Sequence, residues 1–451
     1  MAFTDLNFLS RFLPLFVFVF FLTPRRFQTM ELFVGSLLFY AFGDLNFLPL
    51  LLILCVVNHM FAMVSKSQEG TEGRQWILAA IVILDVGVLV VFKILMLALG
   101  QALPLGISFY LFKMISFQAD VYTGKIKNPP AFLETAAYFT LFFQMAQGPI
   151  MRYSKQEFLG KRHQISFLRI ERGFKTVIIG LAMKALLADR LAIRWNEAQK
   201  IGFESLSTPL AWLVAFGYYL QLYLDFWGYS LIAAGIGIML GFSFVDNFLH
   251  PYAASSVGEF FRRWHVTLTS WFKDYVYIPL GGNRKDTKRT LINIMCVWLL
   301  TGFWHGGGLH FILWGLVLGL LICAEKLFLG EHLQKHPVLA HIYVILVIPV
   351  TWMLFAANTT MDAFKLLGRM FPLTGHFAGA SASDFARYFG QFFPYILVGA
   401  ILCLPPVYDL AARVRAGRVK LIESILLMIL LWTSLYSIHV SQANPFMYFS
   451  F

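Results

Sequence analysis

Two histidines stand inside apolar stretches of this chain: His265 in "GEFFRRWHVTLTSWFKDYVYIPLGGN" (258–283) and His305 in "TGFWHGGGLHFILWG" (301–315). An imidazole titrates near neutrality, so it is the natural general base for taking a proton from a hydroxyl or a thiol. A polar ring among Phe303, Trp304, Ile312, Leu313 and Trp314 also costs free energy unless something satisfies it. A purely structural histidine is therefore the competing reading. Gly306, Gly307 and Gly308 follow His305 directly, and their lack of side chains permits a substrate chain to approach the ring. Two histidines could instead bind a metal, but the set stops at two with no nearby carboxylate pair, and no metal is expected. His310 adds an imidazole to which the sequence gives no role.

The elements that position these rings differ. Phe260, Phe261, Trp264, Leu268 and Trp271 recur at helical spacing around His265, while Arg262, Arg263, Lys273 and Asp274 supply charge. That pattern predicts an amphipathic helix lying at an interface or dipping into a cavity. His305 sits at the glycine-loosened end of an apolar helix. Two further stretches are candidates for lining a pocket. "LPLGISFYLFKMISFQADVYTGKIKNPP" (103–130) mixes apolar residues with Lys113, Gln118 and Asp120, and "FFQMAQGPIMRY" (142–153) carries Gln144, Gln147 and a Gly-Pro break. Irregular backbone at membrane depth is tolerated only where it lines a protein-enclosed cavity. Trp304, Gly306 and Asp225 complete the candidate wall. An intramembrane carboxylate such as Asp225 marks function by default; the alternative is a carboxylate held by neighbouring tyrosines.

Composition sets the solvent. The 451 residues are 59% hydrophobic and 13% charged, with a mean hydropathy of +0.69; a soluble domain carries roughly 25% charged residues. Apolar stretches recur at 76–99, 210–224, 309–323, 338–356 and 418–438, which predicts an all-α polytopic membrane protein of roughly 10–13 helical segments, some broken or re-entrant. Residues 1–451 read as one integral-membrane domain, with N-terminal helices over 1–100, a core over about 103–330 and C-terminal helices with an aromatic tail over 338–451. "GDLN" at 43–46 predicts a tight turn between two helices.

The formal charge of +12 is clustered: residues 150–175 and 262–289 each hold seven Lys/Arg against two acids, and 411–420 hold four against none. Short basic clusters bounded by membrane-length apolar runs suit cytoplasmic loops beside anionic headgroups, not nucleic acid. Asp5 precedes the first apolar run and Arg25 and Arg26 follow it, which places the N-terminus outside and residues 24–30 in the cytoplasm.

"EFFRRWHVTLTSWFKDYVYIPLGGNRK" together with "TGFWHGGG" resembles the membrane-bound O-acyltransferase family, in the branch that O-acetylates alginate and other envelope polymers. The resemblance extends through "FLPLFVFVFF", "LLFYAFGD", "FFQMAQGPIMRY", "LQLYLDFWGYSLIAAGIGIMLGF" and the closing "NPFMYFSF". It implies a ring of helices around a waist thinned from both sides, with a tunnel at the histidine. The family's WHG histidine falls on His305 and its RRWH histidine on His265. It further implies a cytosolic acyl donor, acetyl-CoA or another acyl-CoA, and no permanently bound cofactor. The acceptor would be an extracytoplasmic envelope polysaccharide, or a partner acetyltransferase that passes the group on, at the cell inner (cytoplasmic) membrane.

Two other classes compete. A transporter or channel would explain Asp85, Asp225 and the basic mouths, but its usual mark of inverted repeats is not visible. A non-catalytic envelope scaffold is the third. The tail "NPFMYFSF" (444–451) reads either as an interfacial aromatic anchor or as a segment folded into the outer mouth of the tunnel. In the second case the Tyr448 phenol would shape the acceptor site or relay the acyl group. Both readings put the C-terminus on the extracytoplasmic side.

Overall fold

A computed structural model describes residues 2–145, 148–155, 166–371, 383–417 and 421–440. Gln147 and the whole tail with Tyr448 lie outside the described residues. Helix accounts for 82% of the described residues, with no strand among them. Among the described residues, seven helical stretches are long and apolar enough to cross a membrane: Arg25–Ser67, Arg74–Leu99, Thr208–Met239, Leu309–Lys335, Pro337–Ala356, Asp384–Leu402 and Leu421–Val440. The chain is thus an all-α, multi-pass membrane protein. Among the shorter helices Ile107–Tyr122 is buried along most of its length, while Phe8–Leu22 and Thr287–His305 keep exposed apolar side chains such as Phe18 and Leu300.

Hydrogen bonding and apolar length explain this economy. A lipid-embedded backbone must satisfy its own N–H and C=O groups, which a helix does internally. The run Arg25–Ser67 has 43 residues, about twice what one crossing needs. It breaks at Asp44 (φ −160°, ψ 75°) and a short turn Leu45–Phe47, as "GDLN" predicts.

The helix Thr208–Met239 is the hub, with 89% of its most apolar stretch buried, against 11% for Asp384–Leu402 at the rim. Phe167–Ala182 packs along it without side chains intervening at two places. A Cβ on Gly173 would lie 2.4 Å from the Gly235 carbonyl oxygen, and one on Gly180 would lie 2.4 Å from that of Gly228. Small residues let membrane helices approach to backbone contact, where dispersion is strongest.

Alternation of the helices defines two faces. The start of Arg74–Leu99 meets the end of Ile107–Tyr122, where Arg74 donates to the Val121 carbonyl at 2.9 Å. At the other face the Leu105 N–H donates to Asp44 Oδ2 at 3.0 Å. The start of Arg25–Ser67 joins the first of these faces, a helix length from Asp44, and Phe21 just before it packs at a tilt on Phe167 (5.4 Å) at the head of the arginine-bearing helix Phe167–Ala182. Tyr275 donates to Asp120 at 2.8 Å on the same side. We refer to this as the basic face.

Two expectations are corrected. The segment 258–283 is not one amphipathic helix: it divides into Val257–Arg263 and Val266–Phe272, with His265 between them in the left-handed region (φ 48°, ψ 53°). The extended Trp264 backbone pairs there with Phe248, which a continuous helix would forbid. Nor do the polar residues of 103–130 all line a pocket. Gln118 donates to the Asn58 carbonyl at 2.7 Å and to Asn58 Oδ1 at 3.0 Å, and Asn58 donates to Asp85 at 3.0 Å, so these side chains satisfy one another between helices.

The glycine contacts generate a prediction. Gly180→Val must separate the hub from its neighbour and should destabilise the protein by roughly 1–3 kcal/mol. Gly368→Ala, in open space, should change little; equal unfolding midpoints in detergent for the two variants would remove the contact from the account.

Candidate active site

His305 ends the helix Thr287–His305, which begins at the Asp286 side chain accepting from the Arg289 N–H (2.7 Å). The helix stops because Gly306 is fully extended (φ −178°, ψ 149°). It then folds back as Leu309–Ala324, and the two pack through glycines. A Cβ on Gly302 would lie 2.5 Å from the Phe311 oxygen, one on Gly315 2.4 Å from the Trp298 oxygen and one on Gly306 2.3 Å from the Phe311 ring. The imidazole is 6% exposed. Trp314 (5.2 Å, 88°) and Phe355 (5.0 Å, 80°) stand edge-on to it, forming an aromatic collar. Lys93, itself buried, reaches the Trp304 carbonyl at 2.6 Å and so fixes the last turn from the neighbouring helix.

Two cavities meet at this ring. One of about 210 Å³ is walled by His265, Trp298, Trp314, Trp352 and His305, with Arg262 and Lys273 exposed at its rim. Lys273 is followed by Asp274, which pairs with Arg152, and by Tyr275, which reaches Asp120; this cavity therefore opens toward the basic face. The other, about 630 Å³, is walled by Asp44, Asn46, Lys93, Gln101, Trp304 and His305 and opens on the opposite face. His305 is the residue through which the two faces approach each other.

His265 is held by the backbone that interrupts its helix. Asn247 Oδ1 lies 3.2 Å from His265 Nδ1 and accepts from the Thr267 N–H (3.1 Å) and hydroxyl (2.9 Å). Thr267 Oγ1 in turn accepts from the Ile150 N–H at 3.1 Å, satisfying the broken stretch 148–152. The left-handed conformation of a non-glycine residue costs about 1–2 kcal/mol, and such strain persists where surrounding bonds over-determine it. The preceding helix is fixed at its N-terminus by Glu325, which accepts from the Val257 N–H (2.5 Å) and the Gly258 N–H (2.9 Å). His265 Nε2 is buried without a hydrogen-bond partner among the described residues.

A third cavity, about 520 Å³, lies behind the glycines and is lined by Gly306, His310, Gln221, Lys184 and Asp225. Asp225 is not held by tyrosines alone, as the alternative supposed: Lys184 Nζ lies 2.9 Å from it and 2.5 Å from Asp189. A buried carboxylate is stable there because a cation shares its low-dielectric site. Gln144 is buried on the short helix Phe142–Met145; its neighbour Met145, not Gln144, is on the wall of the second cavity. Trp304, Gly306 and Asp225 do line cavities, while Gln147 and Tyr448 fall outside the described residues. Asn247, Lys93 and Lys184 were not singled out from sequence. An asparagine in a loop and lone lysines in apolar helices carry no spacing that announces a partner 18 to 211 residues away.

Comparison with known proteins agrees with this architecture. The membrane-bound O-acyltransferase family model matches residues 39–359. A probable alginate O-acetylase AlgI of Pseudomonas putida is 33% identical over 394 residues, covering 82% of this chain and 80% of that protein. A peptidoglycan O-acetyltransferase of Helicobacter pylori is 28% identical across 98% of this chain and 94% of its own. A teichoic acid D-alanyltransferase of Bacillus subtilis is 27% identical over 50% of this chain and 59% of its own. The protein thus belongs to the membrane-bound O-acyltransferase family, and its activity is O-acyl transfer.

Proposed function

We propose that this enzyme moves an acetyl group from acetyl-CoA on the cytoplasmic side to a hydroxyl of a cell-envelope polysaccharide on the other, directly or through a partner acetyltransferase. The observation that carries the reading is His305 on the wall of two cavities that open on opposite faces. The basic face is the cytoplasmic one, by the bias of Lys and Arg, and the narrow cavity with Arg262 and Lys273 at its rim is the donor side. Its cationic mouth suits a polyphosphate-bearing acyl thioester. The larger polar cavity with Asp44, Asn46 and Gln101 is the acceptor side. Relatives named for alginate and for peptidoglycan support an envelope polymer as acceptor.

His305 takes the proton of the acceptor hydroxyl as its oxygen attacks the thioester carbonyl carbon. The carbon–sulfur bond then breaks, and the proton passes from the imidazole to the departing thiolate. The ester remains on the acceptor side and the free thiol on the donor side. His265, oriented by Asn247 in the wall of the donor cavity, positions the thioester end and stabilises charge on its oxygen. The aromatic collar excludes water, which would otherwise hydrolyse the thioester.

Three outcomes test the reading. His305→Ala should lower transfer in proteoliposomes supplied with acetyl-CoA by about 10²–10⁴-fold while insertion and expression stay unchanged. Residual activity above about a tenth of wild type would remove His305 from the role of base. His265→Ala and Asn247→Ala should each reduce turnover, and the double variant should be no worse than His265→Ala by more than about 0.5 kcal/mol, because Asn247 acts on catalysis through His265. Additive losses would separate them. In a background without the four native cysteines, cysteines at Glu72 and Arg413 should react with impermeant reagent only from the cytoplasmic side, and one at Gln101 only from outside; the reverse pattern would exchange the donor and acceptor cavities.

A further inference from the structure

A separate cavity of about 430 Å³ lies on the basic face, between the start of Phe167–Ala182, the end of Thr208–Met239 and the helix Pro405–Ala416. Arg169, Arg172 and Arg415 line it, with Asp246 as the one carboxylate. None of the residues lining it is shared with the cavities at His305.

Arg415 is the unusual member. Its side chain is 6% exposed, and it stands 3.9 Å from Asp246 and 5.5 Å from the Phe244 ring. Its Nη1 is buried with no hydrogen-bond partner among the described residues, and so is the Nε of Arg172. Asp246 is itself engaged by the Tyr408 hydroxyl, so this one carboxylate does not saturate three guanidinium groups. A guanidinium nitrogen left without an acceptor in a buried wall is costly unless an anion completes it. The frame that presents these groups is fixed: Lys175 donates to the Val414 carbonyl at 3.0 Å and to the Gly417 carbonyl at 2.5 Å, clasping the end of the helix Pro405–Ala416. Arg169 spends one Nη1 bond on the Gly241 carbonyl at 2.6 Å and keeps its other donors.

We infer that Arg169, Arg172 and Arg415 form a binding site for a phosphate group, separate from the active site. Planar guanidinium forks match phosphate oxygens in pairs. The cavity is larger than phosphate alone needs, and its remaining wall is apolar, from Ile238, Phe242, Phe244 and Ala412. That combination fits the phosphodiester and glycerol backbone of an anionic phospholipid as well as a free phosphate, and the chemistry at the arginines is the same for both. Asp246 is followed directly by Asn247, so the site adjoins the loop that holds His265.

Purified full-length protein in detergent tests this with two probes: phosphatidylglycerol, followed as a retained adduct by native mass spectrometry, and inorganic phosphate, followed by thermal shift. At least one should bind, and Arg172→Gln and Arg415→Gln should each weaken it by about tenfold, while Arg284→Gln, remote from the cavity, should not. Binding of phosphatidylglycerol alone assigns a lipid headgroup; binding of both assigns a general phosphate site. If Arg415→Gln fails to fold, Arg172→Gln decides, because its Nε makes no bond that folding needs. No binding of either probe, or equal binding by the arginine variants, overturns the inference.

Discussion

One carboxamide oxygen, Asn247 Oδ1, faces the His265 ring nitrogen and takes two hydrogen bonds from Thr267. Much of the candidate site depends on it. Where lipid replaces water, a helix cannot be interrupted unless the freed backbone groups find partners inside the protein. The interruption at Trp264–His265 finds them: the Val266 N–H donates to the Asn247 carbonyl at 2.9 Å, and the Leu249 N–H to the Arg263 carbonyl at 2.9 Å. The break turns an amphipathic segment into a wall that holds an imidazole in a left-handed conformation. The same threonine satisfies the extended stretch at Ile150, so two irregular segments are stabilised by one small polar cluster.

Glycine does the complementary work at His305. The hairpin of Thr287–His305 and Leu309–Ala324 closes to backbone contact at Gly302 and Gly315, which sets Trp298 6.0 Å from Trp314, itself 5.2 Å from the His305 ring. Wider spacing would leave the collar open to water. The approach also leaves space on either side of His305, so a single rigid residue borders both faces.

Charges buried in this chain follow a common rule. Lys184 lies between Asp189 and Asp225, Arg152 pairs with Asp274, and Lys113 stands over the Tyr138 ring at 4.5 Å. Each joins elements distant in sequence, as befits groups whose desolvation is offset only by a partner in the interior. Removing one partner would leave a lone charge, so these pairs fix relative helix positions more than they add net stability.

By itself the sequence determined the solvent, the helical class and the turn at Asp44, and pointed to the two histidines as candidates, because hydropathy, turn chemistry and a long specific motif are local signals. It also marked Trp304, Gly306 and Asp225, whose neighbours in sequence are informative. Only the tertiary structure decided that 258–283 is broken at His265, since its helical spacing persists on both sides and the partner that breaks it, Phe248 with Asn247, lies in another segment. It also decided that Gln118 serves a polar layer instead of a pocket, and that Lys184 answers Asp225. Hydrogen bonds and ion pairs between helices depend on which faces meet, and periodicity within one helix says which face is polar without saying what stands opposite it.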